Sequence, residues 1–255
     1  MTGNRERIDK ILVDRGLAQS RDRAKALIMA GQVVVDDHLA EKPGHLAPVD
    51  ADVRIKGETL PFVSRGGLKL RKALDEFHLD VTGVVALDVG ASTGGFTDCL
   101  LQRGARKVIA VDVGYGQLAW KLRRDERVVC LEKTNIRHLT SDRLTEVPDM
   151  AVVDASFISL SKVLPATAAL IREGGFIVAL IKPQFEVGPG EVGKGGVVRD
   201  EKKHREVVAS VSAVAEALGL NVRGLVESPI LGPKGNREFL IFLEKPPGRD
   251  DAEGS

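Results

Sequence analysis

The 255-residue chain is short of cysteine, of long apolar runs and of net charge. Its two cysteines, Cys99 and Cys130, each lie in an apolar stretch without ligand-type residues beside them. That excludes a disulfide framework and a structural zinc site, and makes a reducing cytoplasm the natural setting. The longest purely apolar run, Phe176 to Ile181, has six residues, far below the roughly 18 that a membrane span needs. Arg5, Glu6, Arg7, Asp9 and Lys10 leave no room for a signal-peptide core at the start. No membrane association and no metal are expected, and the chain is expected to be a monomer in solution. Lys and Arg number 37 against 36 Asp and Glu. If evenly spread, that balance would argue against a nucleic-acid partner.

The charge is not evenly spread. Residues 1 to 25 hold seven Lys/Arg against four acids, and residues 54 to 72 hold six against Glu58 alone. The acids Asp250, Asp251 and Glu253 near the end restore the balance. Clustered bases suit either solvated helix faces or a surface that replaces the counterions of nucleic acid. Apolar residues form 43% of the chain and charged ones 29%, enough for a sizeable core in a soluble globular protein. The length fits one small module and one larger domain.

Residues 1–60 read as the module. Ile8, Ile11 and Leu12 at helical spacing predict a helix over Arg5 to Gly16. Ser20 caps a second helix, carried by Ala24, Leu27 and Ile28 and stopped at Gly31. Strands at Gln32 to Val35 and Val53 to Ile55, with a turn near Asp36-Asp37, complete it. The segments Arg7-Ile-Asp-Lys10-Ile-Leu, Gly16-Leu-Ala-Gln-Ser-Arg21, Ala24-Lys-Ala-Leu-Ile28 and Gly31-Gln-Val-Val-Val resemble the RNA-binding domain named for ribosomal protein S-four. The resemblance implies RNA contacts at Arg7, Lys10, Arg21, Arg23 and Lys25. The family's frequent Asn-Gly turn is Asp36-Asp37-His38 here.

A linker at 61–64 leads into an α/β domain expected over 65–245, and 246–255 reads as a disordered tail. Apolar runs at Val84 to Val89, Lys107 to Val113, Val128 to Glu132, Met150 to Asp154 and Phe176 to Ile181 suit buried parallel strands. Helices are expected at Thr97 to Arg103, Gln117 to Arg124, Leu160 to Arg172 and Glu201 to Leu218. Two last strands, Asn221 to Glu227 and Glu238 to Glu244, follow. Alternating strands and helices imply three layers, with ligands at the C-terminal strand ends.

The first strand of this domain runs into Asp88-Val-Gly-Ala-Ser-Thr-Gly-Gly-Phe96. Gly90, Gly94 and Gly95 let the backbone turn tightly and approach a ligand. Their spacing is not the G-x-G-x-x-G of dinucleotide binding, and Asp88 would repel a pyrophosphate. It suits a ligand with an amino group. The loop resembles the first motif of Rossmann-like S-adenosyl-L-methionine-dependent methyltransferases. That resemblance puts Ser92, Thr93 and Phe96 beside the cofactor, with Asp112 on the ribose hydroxyls. Asn135 either approaches the adenine or caps a loop. The alternative for the whole loop is a structural strand-to-helix turn.

Four further charged residues occupy apolar contexts: Asp154 and Lys182 at strand ends, Glu238 opening the last strand, and Lys69 beside a helix face of Leu70, Ala73, Leu74 and Phe77. Separate surface salt bridges are one explanation. The other is proton chemistry, since methylating a ribose hydroxyl needs a base and a lysine serves only if its pKa falls from ~10.4 toward neutrality.

Lys69, Asp154, Lys182 and Glu238 resemble the K-D-K-E tetrad of FtsJ-like ribose 2′-O-methyltransferases. Further matches are Val63-Ser-Arg-Gly-Gly-Leu-Lys-Leu70, Asp112-Val-Gly-Tyr-Gly-Gln-Leu118, Ile181-Lys-Pro-Gln-Phe-Glu186 and Gly232-Pro-Lys-Gly-Asn236. With the N-terminal module they are similar to the TlyA (hemolysin A) family of rRNA methyltransferases. The resemblance implies a seven-stranded, mostly parallel sheet whose last strand is antiparallel. It also implies methylation of cytidine 2′-hydroxyls in 16S and/or 23S rRNA within ribosomal subunits. Helix-forming sequence near the start and a tail after the last strand lean toward the type that modifies both subunits. Where some members have Arg-Ala-Trp-Val before the serine, this chain has Leu60-Pro-Phe-Val63.

The glycine-rich stretch Gly188 to Gly196 reads as a loop that orders over RNA or cofactor, or as an ordinary connection. In the first case Lys194, Lys234 and Arg237 would contact RNA beside the active site, as would Arg65. Two alternatives of other classes are a membrane-active hemolysin and a non-catalytic assembly factor. The complete tetrad speaks against the second, and the lack of a spanning segment against the first.

Overall fold

The computed structural model describes residues 5–15, 17–18, 20–36, 38–49, 51–56, 61–188, 190–193 and 195–248. Asp37, Lys194 and the tail beyond 248 therefore lie outside the described residues.

The N-terminal part contains β1 (Arg5–Arg7), α1 (Ile8–Asp14), α2 (Arg21–Met29), β2 (Val33–Val35), β3 (His38–Leu39), β4 (Leu46–Pro48) and β5 (Val53–Ile55). Ser20 caps α2 as expected, its Oγ accepting from the Arg23 amide at 3.2 Å. The helix expected from Arg5 begins only at Ile8. Arg5–Arg7 pairs antiparallel with Leu46–Pro48, a long-range pairing that overrides the local periodicity. Strands β3, β2 and β5 form a separate antiparallel sheet. Ile8, Ile11, Leu12, Ala24, Leu27, Ile28, Val33 and Val53 close one small core between the helices and strands.

After it come α3 (Gly66–Glu76), β6 (Val85–Val89), α4 (Gly95–Gln102), β7 (Lys107–Val111), α5 (Trp120–Arg123), β8 (Val128–Leu131), β9 (Met150–Val153), α6 (Leu160–Leu170), β10 (Phe176–Ile181), α7 (Pro183–Glu186), α8 (Glu201–Ala217), β11 (Asn221–Glu227) and β12 (Phe239–Glu244). The seven strands order as β11-β12-β10-β9-β6-β7-β8. Only β12 runs antiparallel to its neighbours β10 and β11. Strand alternation splits β6 between two layers. Val85, Leu87 and Val89 pack with α6 and α8, whereas Ala86 joins the core under α3 and α4. The strand order reverses between β6 and β9, so their C-terminal ends open a crevice there.

The helix expected over Gln117 to Arg124 is reduced to Trp120–Arg123. Ala119 is extended (φ −53°, ψ 138°) and donates its N–H to the Thr93 carbonyl at 3.1 Å, which fastens this segment to the glycine loop.

Candidate active site

The loop after β6 turns the chain from the sheet into α4. At Gly90, φ is +85° and a Cβ would stand 2.7 Å from the Asp154 carbonyl oxygen. Only glycine lets the end of β6 lie against the end of β9 here. A Cβ at Gly95 would meet Ser64 Oγ at 2.2 Å, where the start of α4 packs on the entry to α3. Gly90, Ser92, Thr93, Gly95 and Phe96 border a cavity of about 1090 Å³.

The same cavity is lined by Lys69, Asp154 and Lys182. Lys69, on α3, donates to Glu238 Oε2 at 2.6 Å; its side chain is 9% exposed and that of Glu238 fully buried. Lys182, which follows β10, donates to Ser156 Oγ at 2.7 Å. Its Nζ also stands 2.5 Å from Asp154 Oδ1. That contact is an ion pair out of line for a hydrogen bond, so Oδ1 keeps acceptor capacity. The fold thus brings the four residues together as two lysine–carboxylate pairs. Buried ion pairs stabilise poorly because desolvation offsets attraction, and two at one cavity are better suited to chemistry than to holding the fold.

The remaining residues singled out from sequence divide. Asp88 is fully buried behind the loop and is not on the cavity wall. Thr97 Oγ1 donates to its Oδ2 at 2.6 Å, while Oδ1 has no partner. Burial pushes its carboxyl up to about 7, helped by the charges of Asp154 and Asp112. Asp112 accepts from the Ser92 amide at 2.8 Å and the Gly114 amide at 2.6 Å, so it holds two loops in place. Asn135 caps the turn Ile136–His138, its Oδ1 accepting from the Arg137 amide at 3.1 Å.

Arg7, Lys10, Arg21, Arg23 and Lys25 are exposed on the N-terminal part. Arg65 is half-buried on the cavity wall, and burial lowers its pKa. Lys234 is exposed on a left-handed turn (φ +61°) beside Gly196. Arg237 instead forks onto Glu227 at 2.8 and 2.6 Å, a surface pairing.

Sequence reasoning missed Ser156, Thr97 and Asp98. Ser156 stands two residues after Asp154, and that spacing on a loop leaving a strand was the available signal. Asp98 is buried, accepts from the Val63 amide at 2.7 Å and pairs with Lys121 at 2.9 Å.

Residues 62–245 match the FtsJ-like methyltransferase family, and residues 6–53 match the S4 domain. The 16S/23S rRNA (cytidine-2′-O)-methyltransferase TlyA of Mycobacterium tuberculosis is 48% identical over 94% of this chain and 90% of its own. The chain belongs to the TlyA (hemolysin A) family. Another TlyA-family relative, hemolysin A of Brachyspira hyodysenteriae, is 39% identical over 93% of this chain and 99% of its own. A solved structure from Streptococcus thermophilus, described as a candidate hemolysin, superposes with a TM-score of 0.80 at 47% identity. It covers 95% of this chain and 89% of that one.

Among the described residues of this TlyA-family chain, no helix is long and apolar enough to cross a membrane. The glycine loop is flanked by Asp88, Asp112 and Asp154, whose charges repel one another. Asp88 Oδ1 is a buried acceptor without a hydrogen-bond donor, and Asp154 Oδ1 has the Lys182 ammonium, 2.5 Å away, as its ion-pair partner. The Asp154 carboxylate on the cavity wall, with acceptor capacity left beyond Lys182, fits a cationic ligand that carries an amino group.

Proposed function

We propose that this protein uses S-adenosyl-L-methionine to methylate the ribose 2′-hydroxyl of cytidine in 16S and/or 23S rRNA. The observation that carries this reading is the pair of lysine–carboxylate contacts, Lys69–Glu238 and Lys182–Asp154, at one cavity bordered by the glycine loop. The relatives' names supply the choice of rRNA and of cytidine. S-adenosyl-L-methionine, when bound, supplies an electrophilic methyl group on a sulfonium centre. Gly90, Ser92, Thr93, Gly94, Gly95 and Phe96 form its cradle, with Asp112 and Asp154 providing the negative charge, Asp88 supporting the loop from behind and Asn135 shaping it nearby.

Lys182 is the group that takes up the 2′-hydroxyl proton, with Ser156 and Asp154 holding its nitrogen in place. Lys69, fixed by Glu238, orients the ribose from the opposite pair. Alignment of hydroxyl and methyl accounts for much of the rate in such a displacement. Residues 1–60 act as the RNA-holding module through Arg7, Lys10, Arg21, Arg23 and Lys25. Arg65 and Lys234 extend the basic surface to the cavity.

Purified 30S and 50S subunits incubated with methyl-labelled cofactor test the reading, with Lys182→Ala in parallel. Label is expected on cytidine ribose in one or both subunits with wild type, and none with the variant. Absence of label with wild type on both subunits overturns the function. Full activity of Lys182→Ala overturns the base.

A further inference from the structure

Asp9 has no place in the chemistry above, yet it is a carboxylate with no exposed surface in the N-terminal part. It sits in the first turn of α1, where the helix end favours an acid. Arg7 reaches it through two parallel hydrogen bonds, Nε to Oδ1 and Nη2 to Oδ2, both 3.0 Å. Arg21, at the start of α2, donates Nη2 to the same Oδ2 at 3.0 Å. One buried anion therefore holds two guanidiniums from the starts of two helices side by side. Their side chains remain 44% and 52% exposed.

Each guanidinium has five N–H donors. Arg7 spends donors on Nε and Nη2, and Arg21 spends one on Nη2, so both retain donors. Arg7 Nη1 lies beside Gly44, 3.4 Å from the position a Cβ would take, so that glycine leaves room around the group. The two hydrogen bonds of Arg7 come first among the causes that hold the Asp9 carboxyl at about 2. The anion is therefore present at every working pH.

We infer that Asp9 is a positioning residue that presents Arg7 and Arg21 as a preformed two-arginine clamp for the phosphates of structured RNA. Free arginines lose rotamer freedom when they grip a phosphate, and Asp9 imposes that ordering beforehand. Forked guanidiniums match phosphate oxygens in pairs. The inference rests on the rRNA reading above for the identity of the RNA.

Removing the negative charge separates the clamp from simple electrostatics, because the two make opposite predictions. Asp9→Asn raises the local positive charge, so a mere basic patch would bind RNA more tightly and with a steeper salt dependence. A clamp that loses its organiser binds more weakly.

The experiment measures binding of full-length protein to purified ribosomal subunits across a salt series, with circular dichroism as the check of folding. Asp9→Asn is expected to weaken binding about tenfold and to make the slope of log K against log salt shallower by about one. In the Arg7→Ala/Arg21→Ala background, Asp9→Asn is expected to have no further effect. Should Asp9→Asn fail to fold, Arg21→Lys is read instead: it keeps the exposed charge but loses the fork, and about fivefold weaker binding is expected. Equal or tighter binding by Asp9→Asn, or by Arg21→Lys where that variant is read, overturns the clamp. So does a full Asp9→Asn effect in the double-alanine background. Wild type that binds neither subunit removes the rRNA reading and the clamp together, whereas wild-type binding with unaffected variants removes the clamp alone.

Discussion

A Cβ placed on Gly232 would lie 1.9 Å from Glu238 Oε1, so the glycine is the space that the carboxylate occupies. The backbone at Gly232 (φ −72°) would accept any residue; the constraint is purely steric. With that space Glu238 is fully buried and turns Oε2 to Lys69 at 2.6 Å. The motif Gly232-Pro-Lys-Gly-Asn236 thus serves the active site through its first residue.

Gly232→Ala must move the carboxylate and with it Lys69. Displacements of about 1 Å in a reacting constellation cost on the order of a hundredfold in rate. Methyl transfer to ribosomal subunits is expected to fall by about that factor, while cofactor affinity by calorimetry stays unchanged. Undiminished transfer would mean that the Lys69–Glu238 pair does not orient the substrate.

Lys182→Arg separates a base from a charge. Arginine keeps the cation near Asp154 but cannot release its proton at working pH. The expected loss in kcat is about 10² to 10⁴, the usual worth of general base catalysis. An arginine variant with near-normal kcat would assign the position to electrostatics. Ser156→Ala removes the acceptor that fixes the lysine nitrogen at 2.7 Å. It is expected to lower kcat about tenfold, the scale of a hydrogen bond to a charged group, and to displace the pH–rate profile, which a loss of stability alone would not do.

The sheet was legible because buried parallel strands are short apolar runs between turns. Phe176–Ile181 lies where that pattern puts it, and the edge strand Asn221–Glu227, half-exposed along its length, also keeps its expected bounds. Lys69, Asp154, Lys182 and Glu238 stood out because charge interrupts those apolar contexts. Arg5–Arg7 was illegible as a strand because its partner, Leu46–Pro48, lies far along the chain and no apolar alternation marks it. The same limit hid Thr97 and Ser156, which matter through side chains brought to them by the fold. Asn135 was ambiguous from sequence because a side chain that caps a turn and one that meets a ligand look alike there.

Asp88 makes stability depend on pH in an unusual direction for a carboxylate. Its folded value, about 7, lies above its ordinary 3.8 because burial disfavours the anion. The folded state therefore binds the proton more tightly than the unfolded state. This stabilising contribution is complete below about pH 4 and is lost as pH rises toward 7, on the order of 4 kcal/mol in all. Asp88→Asn mimics the protonated form and can still accept from Thr97. Without cofactor, its Tm is expected to match wild type near pH 4 and to exceed it increasingly up to pH 8. A pH-independent difference would mean that Asp88 keeps its ordinary pKa.

Phe62 fastens the connection between the two parts to the α3–α4 side. Its ring is 6% exposed and fills the place of the side chain that Gly67 lacks, where a Cβ would come within 2.3 Å. The Arg71 guanidinium lies over it, 5.7 Å from the ring centroid. On either side, the Pro61 carbonyl accepts from Gln102 Nε2 at 2.7 Å and the Val63 amide donates to Asp98 at 2.7 Å. Phe62→Ala would leave these polar ties but empty the space beneath Gly67, so a loss of about 3 kcal/mol in denaturant unfolding is expected. Phe62→Leu keeps most of the volume and is expected to lose less than about 1.5 kcal/mol. If alanine cost no more than leucine, the two flanking hydrogen bonds rather than the ring would be what holds the segment, and Asp98→Asn would then be the more damaging change.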